Sequence, residues 1–343
     1  MRTRWISMFA FVLLLLAGNS TAQSFKFVSI DVPNATFTVA TGISPGGAIV
    51  GIYGDASFNE HGFLLKDGHF TTVDVPSSLV GVSGTLQTEV NGINAKGDIV
   101  GDYFAPPGAP GAPACTAWNA DGSPKPECIR GFLFRHGEFS DVLVPGHPGS
   151  IPNSITSNGS IYGCLHDFDL MASMFGFARL PAGDGGGQEG DSAEFRYISL
   201  LAGGGELIDP AEQVPDSMNN GATPNGKTIV GLYTDMNTMH THGYIVRNGK
   251  FYTYDVPGSL ATTVWGINPD RDFVGVYRSA DNNRHGFLQR WDASAPISID
   301  YPGALRTAAY GINPAGAIVG DYIDANGNDH GFLAVFAGDD NAN

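Results

Sequence analysis

The sequence predicts an all-β protein: a six-bladed β-propeller of four-stranded antiparallel blades, closed by an N-terminal strand that joins the last blade. First, a motif recurs along the chain, clearest at 311–333, reading Gly-Ile-Asn/Ser, a turn, Ile-Val-Gly-x-Tyr, a polar loop and His-Gly-Phe-Leu. Second, 47 glycines and 21 prolines favour tight turns over helices. Third, the recurrence is near the roughly 40–50 residues of propeller blades, far longer than a β-helix coil.

The first 22 residues are predicted to be an export signal. Arg2 and Arg4 form a basic start, Phe9–Leu16 is a short apolar run, and Ser20-Thr21-Ala22 provides small residues for cleavage. A retained N-terminal anchor is the alternative. No later segment approaches the ~18–20 apolar residues of a transmembrane helix. We therefore expect 23–343 to form a single propeller domain that is secreted or periplasmic.

The composition restricts the partners. The chain has 18 Lys+Arg against 34 Asp+Glu, a formal net charge of −16. An acidic protein without a basic cluster repels nucleic acid phosphates, so neither nucleic acid nor an anionic membrane is an expected partner. The acidity provides solubility outside the cell. We expect a monomer whose partner is a glycan or an extracellular protein.

One repeat unit is predicted to fold as a meander of four strands, a to d. Asn91–Tyr103 is a hairpin of a and b with glycine at its turn. Ile49–Leu65 joins b to c, and Gly62–Val75 joins c to d. Strand d ends at Asp-Val-Pro or Asp-Tyr-Pro, because proline cannot donate to the ladder.

Strand b predicts that the sheets stack. Both of its faces are apolar, as in Ile49–Tyr53, so each sheet needs a neighbour on either side. A glycine inside a strand is costly unless a backbone or ring must approach closely. The sequence therefore predicts such an approach at the recurring glycine of this strand: Gly51, Gly101, Gly163, Gly231, Gly275 and Gly320.

The end of the chain predicts how the ring closes. Triplets of strands a, b and c lie at roughly 38–64, 88–134, 153–180, 217–247, 263–289 and 308–336. The last triplet has no strand d after it, whereas the mature chain begins with an orphan strand d, Phe25–Pro33. Pairing the two gives six complete blades and leaves no sheet edge open. An open β array or two sandwiches are the alternatives. Insertions are expected at 104–129, 181–194 and 202–216.

The three cysteines are assigned as a pair and a single residue. Cys115 and Cys128 flank a Pro/Gly-rich insertion, and an oxidising compartment favours a disulfide between them. Closing a loop of this size contributes about 3 kcal/mol in the loop-entropy model. Cys164 is interpreted as a small buried hydrophobe and not as a nucleophile.

The motif GINPAGAIVGDY…HGFL resembles the HAF repeat of probable extracellular bacterial proteins. The resemblance covers nearly all of 38–336 through the repeats, although this chain has His-Gly-Phe where the family name implies His-Ala-Phe. It implies an exported, propeller-like repeat protein, and it brings no established activity or catalytic residues.

Two polar positions recur on the rim that carries the b–c and d–a loops, where binding is expected. One is an aspartate after strand b: Asp55, Asp167, Asp235 and Asp324. The other is a histidine that opens strand c: His61, His242, His285 and His330. Either each Asp–His pair ties its own hairpin together, or the side chains face a central cation or sugar. Recurrence favours the first interpretation, because one site does not need four copies.

The sequence predicts no cofactor, with calcium as an alternative at Asp324, Asn326 and Asn328. Their oxygen atoms alternate as in calcium loops, but the downstream bidentate Glu is missing. No Gly-x-Ser-x-Gly, Walker or His-Glu-x-x-His motif is present. We therefore expect a non-catalytic binding or scaffold module for a glycan or protein. The alternative is a propeller hydrolase or lyase that uses rim Asp and His residues, with or without a divalent metal.

Overall fold

The computed structural model describes residues 25–147, 149–166, 174–181, 194–198, 207–208, 217–235 and 237–337. The predicted export signal (1–22), Asp167, and most of the insertions at 181–194 and 202–216 lie outside the described residues. Within the described part of the chain, no helix has the length and apolarity needed to cross a membrane.

The chain forms six antiparallel sheets arranged as propeller blades, so the predicted fold class is confirmed. Blade 1 is β2 (Phe37–Ile43), β3 (Ile49–Gly54), β4 (Glu60–Lys66) and β5 (His69–Val73). Blade 2 is β6 (Thr88–Ile93), β7 (Ile99–Phe104), β8 (Ile129–Arg135) and β9 (Glu138–Val142). Blade 3 is β10 (Gly149–Ile155), β11 (Ile161–His166), β12 (Met174–Leu180), β13 (Glu194–Ile198) and β14 (Leu207–Ile208).

Blade 4 is β15 (Ser217–Ala222), β16 (Thr228–Asp235), β17 (His240–Arg247) and β18 (Lys250–Tyr254). Blade 5 is β19 (Ala261–Ile267), β20 (Phe273–Arg278), β21 (Arg284–Gln289) and β22 (Ile297–Ile299). Blade 6 is β23 (Arg306–Ile312), β24 (Ile318–Ile323), β25 (Asp329–Phe336) and the N-terminal β1 (Phe25–Ile30). Short 3-10 helices lie at Ser77–Val80 and Pro126–Cys128. The sequence did not predict the fifth strand of blade 3, β14, which falls in the insertion at 202–216.

The N-terminal strand closes the ring as predicted. β1 pairs antiparallel with β25 over its whole length, from Phe25 opposite Phe336 to Ile30 opposite Gly331. The two faces of β1 pack in the two interfaces that blade 6 makes with its neighbouring blades. Ile30 belongs to the core shared with blade 1, and Phe27 packs edge-on against Tyr301 and Phe332 in the core shared with blade 5. The N-terminal strand β1 therefore completes the last blade and holds it against both neighbouring blades.

The innermost strand of every blade carries a β-bulge. In blade 2, Val90 pairs with Gly101 and Gly92 with Val100, so Asn91 is the extra residue. The strand-b glycine lies under this bulge: a Cβ on Gly101 would lie 2.0 Å from the Glu89 carbonyl oxygen and 2.9 Å from the Phe132 ring. The predicted close approach of a backbone or ring is confirmed in every blade.

A glycine after the bulge, present in every blade except blade 3, brings neighbouring inner strands into contact around the axis. A Cβ on Gly42 would lie 3.4 Å from the Cα of Gly92, and one on Gly311 would lie 3.3 Å from the Cα of Gly42. The second contact joins blade 6 to blade 1. The inner strands β2, β6, β10, β15, β19 and β23 thus form a closed ring around a central channel.

The insertion after β7 packs on blade 2. Cys115 and Cys128 form a disulfide, and both are buried in one cluster with Ala105, Ala109 and Ala112. Small side chains let this Pro-rich segment lie close to the sheet. Cys164 takes no part in a disulfide and is fully buried in β11.

Candidate functional site

The recurring histidines are held inside their own blades. Each histidine that opens strand c places Nδ1 at 2.6–2.8 Å from a carboxylate oxygen at the end of strand d. A strand-b tyrosine stacks on each imidazole, with ring centroids 5.1–5.2 Å apart. The four Tyr–His–Asp clasps are Tyr53–His61–Asp74, Tyr233–His242–Asp255, Tyr277–His285–Asp300 and Tyr322–His330–Asp31. The last clasp pins the closing strand, because Asp31 directly follows β1.

Blade 2 has a related clasp without histidine. Arg130 takes the histidine position and places Nη2 at 2.5 Å from Asp141, while Tyr103 donates its hydroxyl to the same carboxylate at 2.7 Å. Burial raises the pKa of Tyr103, and the Asp141 carboxylate reinforces the shift. A clasp can therefore be built on either of two side chains, histidine or arginine.

The rim aspartates are secondary partners of these clasps. Asp55 and Asp324 each lie 3.6 Å from the Nε2 of the histidine in their own blade. Hydrogen bonds from Asn59, first through its side chain, lower the pKa of Asp55 to about 2. Asp235 accepts the backbone N–H of Asn237 at 2.8 Å. In blade 5 the corresponding partner is Ser279, whose Oγ lies 3.1 Å from the Nε2 of His285.

The Asp324 loop bonds to itself. The Asp324 carboxylate accepts the backbone N–H groups of Asn326 and Asn328 at 2.8 and 2.9 Å, and their side-chain NH₂ groups at 3.3 and 3.0 Å. These bonds, led by that from the Asn328 backbone, lower the pKa of Asp324. Amide hydrogens thus occupy the carboxylate face that a cation would take. Among the described residues, no group of three or more His, Cys, Asp or Glu side chains could hold a metal ion.

A cavity of about 420 Å³ occupies the central channel, and its wall comes mainly from the innermost strands. Towards the a–b turns it narrows to an apolar ring, beyond which lies a second cavity of about 90 Å³. The ring consists of Ile43, Ile93, Ile155, Ala222, Ile267 and Ile312. None of the seven rim candidates (Asp55, His61, Asp235, His242, His285, Asp324 and His330) lines the central cavity.

The six bulge residues form a belt around this cavity: Thr41, Asn91, Asn153, Asn220, Trp265 and Tyr310. The first four each donate a hydrogen bond to a backbone carbonyl oxygen in the inner strand of the next blade, at 2.6–3.2 Å. Trp265 and Tyr310 instead meet as an edge-to-face pair, with ring centroids 5.3 Å apart at 89°. The belt is therefore amide-rich on one side and aromatic on the other.

The belt leaves polar atoms facing the channel. Asn91 donates its Nδ2 hydrogens to Asp102 and to the Pro152 carbonyl, which fixes Oδ1 as the remaining atom. Asn153 likewise donates Nδ2 to Asn219 and Asn220. Within the described chain, neither Oδ1 has a hydrogen-bond partner, and neither counts among the buried unpartnered atoms. Both acceptors are therefore accessible from the cavity.

One acidic residue adds an ionisable group to the wall. Glu89 lies on β6 just before the belt, and among the described lining residues none is Lys, Arg or His. Burial first, then the negative charges of Asp102 and Glu60, raise the pKa of Glu89. Burial also raises the pKa of Asp102 to about 7. The cavity is thus rich in hydrogen-bond acceptors on the side of blades 2 and 3.

Sequence reasoning missed the belt for a physical reason. It lies at the residue directly before the repeated Gly-Ile, where Thr, Asn, Trp and Tyr alternate, so it has no fixed identity to recognise. Its position was nevertheless readable, since it precedes a glycine in five blades and Ser154 in blade 3. The clasp partners Asp31, Asp74, Asp255 and Asp300 were also missed as site residues, although they stand in the motif that ends strand d.

No family model and no curated protein matches the chain. Among solved structures, it is similar to the β-propeller domain of the Trilobed protease from Pyrococcus furiosus, at 9% identity over 89% of this chain and 94% of that chain, with a TM-score of 0.46. It is also similar to a mutant of AofleA from Arthrobotrys oligospora, at 11% identity over 91% of this chain and 87% of that chain, with a TM-score of 0.42. A third similar structure is an Aleuria aurantia lectin mutant in complex with Fucalpha1-6GlcNAc, at 10% identity over 88% of this chain and 96% of that chain, with a TM-score of 0.40. We draw no functional conclusion from similarities this low.

Proposed function

We propose that the protein is an exported, non-catalytic binding module that takes a sugar ring of a glycan into its central channel. The observation that carries this proposal is the composition of the cavity wall. At about 420 Å³ the cavity lies within the ~300–1,000 Å³ of small-molecule sites. Its wall combines apolar surface with a few placed polar groups, which is the usual design of such sites.

The wall suits a sugar in three respects. The Trp265–Tyr310 pair offers aromatic surface for the CH face of a pyranose. The free Oδ1 atoms of Asn91 and Asn153 accept hydrogen bonds from ring hydroxyls. Trp265 Nε1–H has no hydrogen-bond partner within the described chain, and it offers one donor. The belt residues are also held by their neighbours, so little side-chain freedom is lost on binding.

The rim hydrolase or lyase is the less favoured candidate. Acid–base chemistry requires groups that converge on one reacting bond. Each recurring histidine instead bonds within its own blade, on strands b to d, and away from the cavity wall. Export and kinship with HAF-repeat proteins remain part of the proposal, supported by the sequence of residues 1–22 and by the repeated motif.

A glycan array followed by calorimetry on purified 23–343 tests the proposal. We expect one or more glycans to bind, and Trp265→Ala to weaken the best of them at least about tenfold, as removal of a central aromatic contact does. Trp291→Ala is the matched control, because Trp291 lies outside the cavity between Arg247 and Arg271. Unchanged binding by a folded Trp265→Ala variant refutes the channel site. Glycan cleavage in the same samples, abolished by His285→Ala or His330→Ala, establishes the hydrolase instead.

A further inference from the structure

We infer that the channel selects an amino sugar, with the ligand's ammonium group held by Glu89 and its pyranose ring by the aromatic pair across the cavity. This inference rests on the proposed glycan-binding function and specifies its ligand class. It concerns the wall of the cavity where the Glu89 side chain lies beside the unpartnered amide oxygens of Asn91 and Asn153.

The position of Glu89 differs from that of its equivalents in the other blades. The same place, two residues before the bulge, holds Val39, Ile151 and Met218 in blades 1, 3 and 4, all of which line the cavity. A carboxylate replaces an apolar side chain in one blade only among these four. The cavity wall is therefore asymmetric, because its one acidic group among the described lining residues lies on the blade 2 side.

Among the residues that the structure describes, no salt bridge joins Glu89 to a basic side chain. Its neighbours Asp102 and Glu60 are both acidic, and their charges, together with burial, raise its pKa. In the related acidic group of blade 6, by contrast, Arg306 lies 3.4 Å from Asp329 and 4.0 Å from Asp321. A ligand ammonium would supply at Glu89 the positive charge that Arg306 supplies in blade 6.

An independent observation points to a ligand at the same wall. Asn153 is only 8% exposed, its Nδ2 is used by blade 4, and its Oδ1 remains unpartnered at the cavity. Asn91 repeats this arrangement in blade 2. Both oxygens are accessible from the cavity and have no donor within the described chain, so a ligand with several hydrogen-bond donors would match this wall. Ammonium and hydroxyl groups on adjacent carbons of one ring meet that requirement.

The aromatic pair lies on the opposite side, in blades 5 and 6, and both rings are partly exposed although they belong to the innermost strands. The channel is the open space that such strands face. Tryptophan and tyrosine faces attract cations as well as CH groups. One ring bound between the two walls therefore satisfies the carboxylate, the amide oxygens and the aromatic surface together.

The test uses D-glucosamine, N-acetyl-D-glucosamine and D-glucose in calorimetry at pH 7 with unmodified 23–343. The three probes differ only in an ammonium, an acetamide or a hydroxyl group at one carbon. We expect glucosamine to bind at least about tenfold more tightly than the other two, since a charged hydrogen bond is stronger than a neutral one. Glucosamine binding no tighter than glucose overturns the inference, while the proposed glycan site stands. Binding of none of the three overturns the inference, whereas the proposed glycan site is decided by the glycan array and Trp265→Ala.

Glu89→Gln separates charge from shape. It should reduce the preference for glucosamine over glucose, measured within the variant itself, to within about threefold. Glu138→Gln is the matched control on the outer strand of the same blade and should retain the full preference. A folded Glu89→Gln variant that keeps the preference overturns the inference. If methylammonium binds the unmodified protein as tightly as glucosamine does, the pyranose ring contributes nothing to binding. That result overturns the assignment of a sugar as the ligand.

Discussion

Closure of the ring by β1 allows a matched pair of substitutions on one strand. Ile30 is 5% exposed and packs in the core between blades 6 and 1 with Ala40 and Val319. Val28 lies two residues earlier on the same face of the strand but is 59% exposed. Ile30→Ala and Val28→Ala both shorten a β-branched side chain in β1. They differ in how much buried surface is lost.

The expected magnitudes follow from that burial. Removing a fully buried Ile side chain costs about 2–5 kcal/mol of unfolding free energy, because transfer and cavity contributions add. An exposed substitution usually stays within about 0.5 kcal/mol. Deleting Phe25–Pro33 also removes Phe27, which is partly buried, so its loss adds less than the ~3–5 kcal/mol of a fully buried Phe. The combined loss approaches the ~5–15 kcal/mol that stabilises a typical domain. We therefore expect the truncated protein to lose its cooperative transition.

Urea denaturation followed by tryptophan fluorescence and far-UV circular dichroism measures these effects. The midpoint reports stability, and the slope of unfolding free energy against urea reports the surface exposed on unfolding. Ile30→Ala should shift the midpoint with an unchanged slope, whereas the deletion should broaden the transition or separate the two probes. A truncated protein with the midpoint and slope of the intact one refutes the closure argument. Equal costs for Ile30→Ala and Val28→Ala refute it as well.

Three further predictions test the blade interior, the insertion and the channel wall. A Cβ on Gly101 would lie 2.0 Å from the bulge carbonyl oxygen, so Gly101→Ala should cost more than about 3 kcal/mol or prevent folding. At Gly97, with φ +84° and open space around it, the same change should cost about 1–2 kcal/mol in the same urea assay, and equal costs would contradict the steric account. Replacing Cys115 and Cys128 by Ser should lower the unfolding free energy by about 3 kcal/mol, and an unchanged thermal midpoint would contradict this. Burial raises the pKa of Asp102 to about 7, so the folded state holds a proton that the unfolded chain releases near pH ~4. Unfolding free energy should therefore fall as pH rises from about 4 to 7, and Asp102→Asn should flatten that slope; a slope unchanged in the variant would refute the assignment.

The repeat made the fold predictable because blade packing imposes the same requirement six times. A glycine must lie under each bulge, since the carbonyl and the ring leave no room for a Cβ, so it recurs and can be read from one sequence. The orphan strand Phe25–Pro33 was recognisable for the same reason, as it carries the strand-d ending. β14 was not predictable: two residues of pairing with β13 leave no pattern in the insertion.

The histidines show how a repeated motif can be found and its partner missed. His61 recurs in three other blades, and the sequence offered Asp55 as its partner because the two flank one loop. The nearer carboxylate is that of Asp74, at 2.7 Å against 3.6 Å for Asp55. Asp74 lies 13 residues further along the chain. Antiparallel pairing of β4 with β5 brings the two together, and a hairpin pairing has to be known before the contact can be seen.

In this protein the candidate site lies where the repeat varies, and that follows from symmetry. Six equivalent positions surround one channel, so a ligand without six-fold symmetry can be recognised only if some of them differ. Structural positions repeat because each blade meets the same packing problem. The belt holds Thr, Asn, Trp and Tyr at one structural position, and Glu89 takes the position that Val39, Ile151 and Met218 hold in three other blades. A search for recurrence therefore finds clasps and packing residues first. The residues of a closed repeat that bind an asymmetric ligand are better sought at positions that are equivalent in structure and unequal in chemistry.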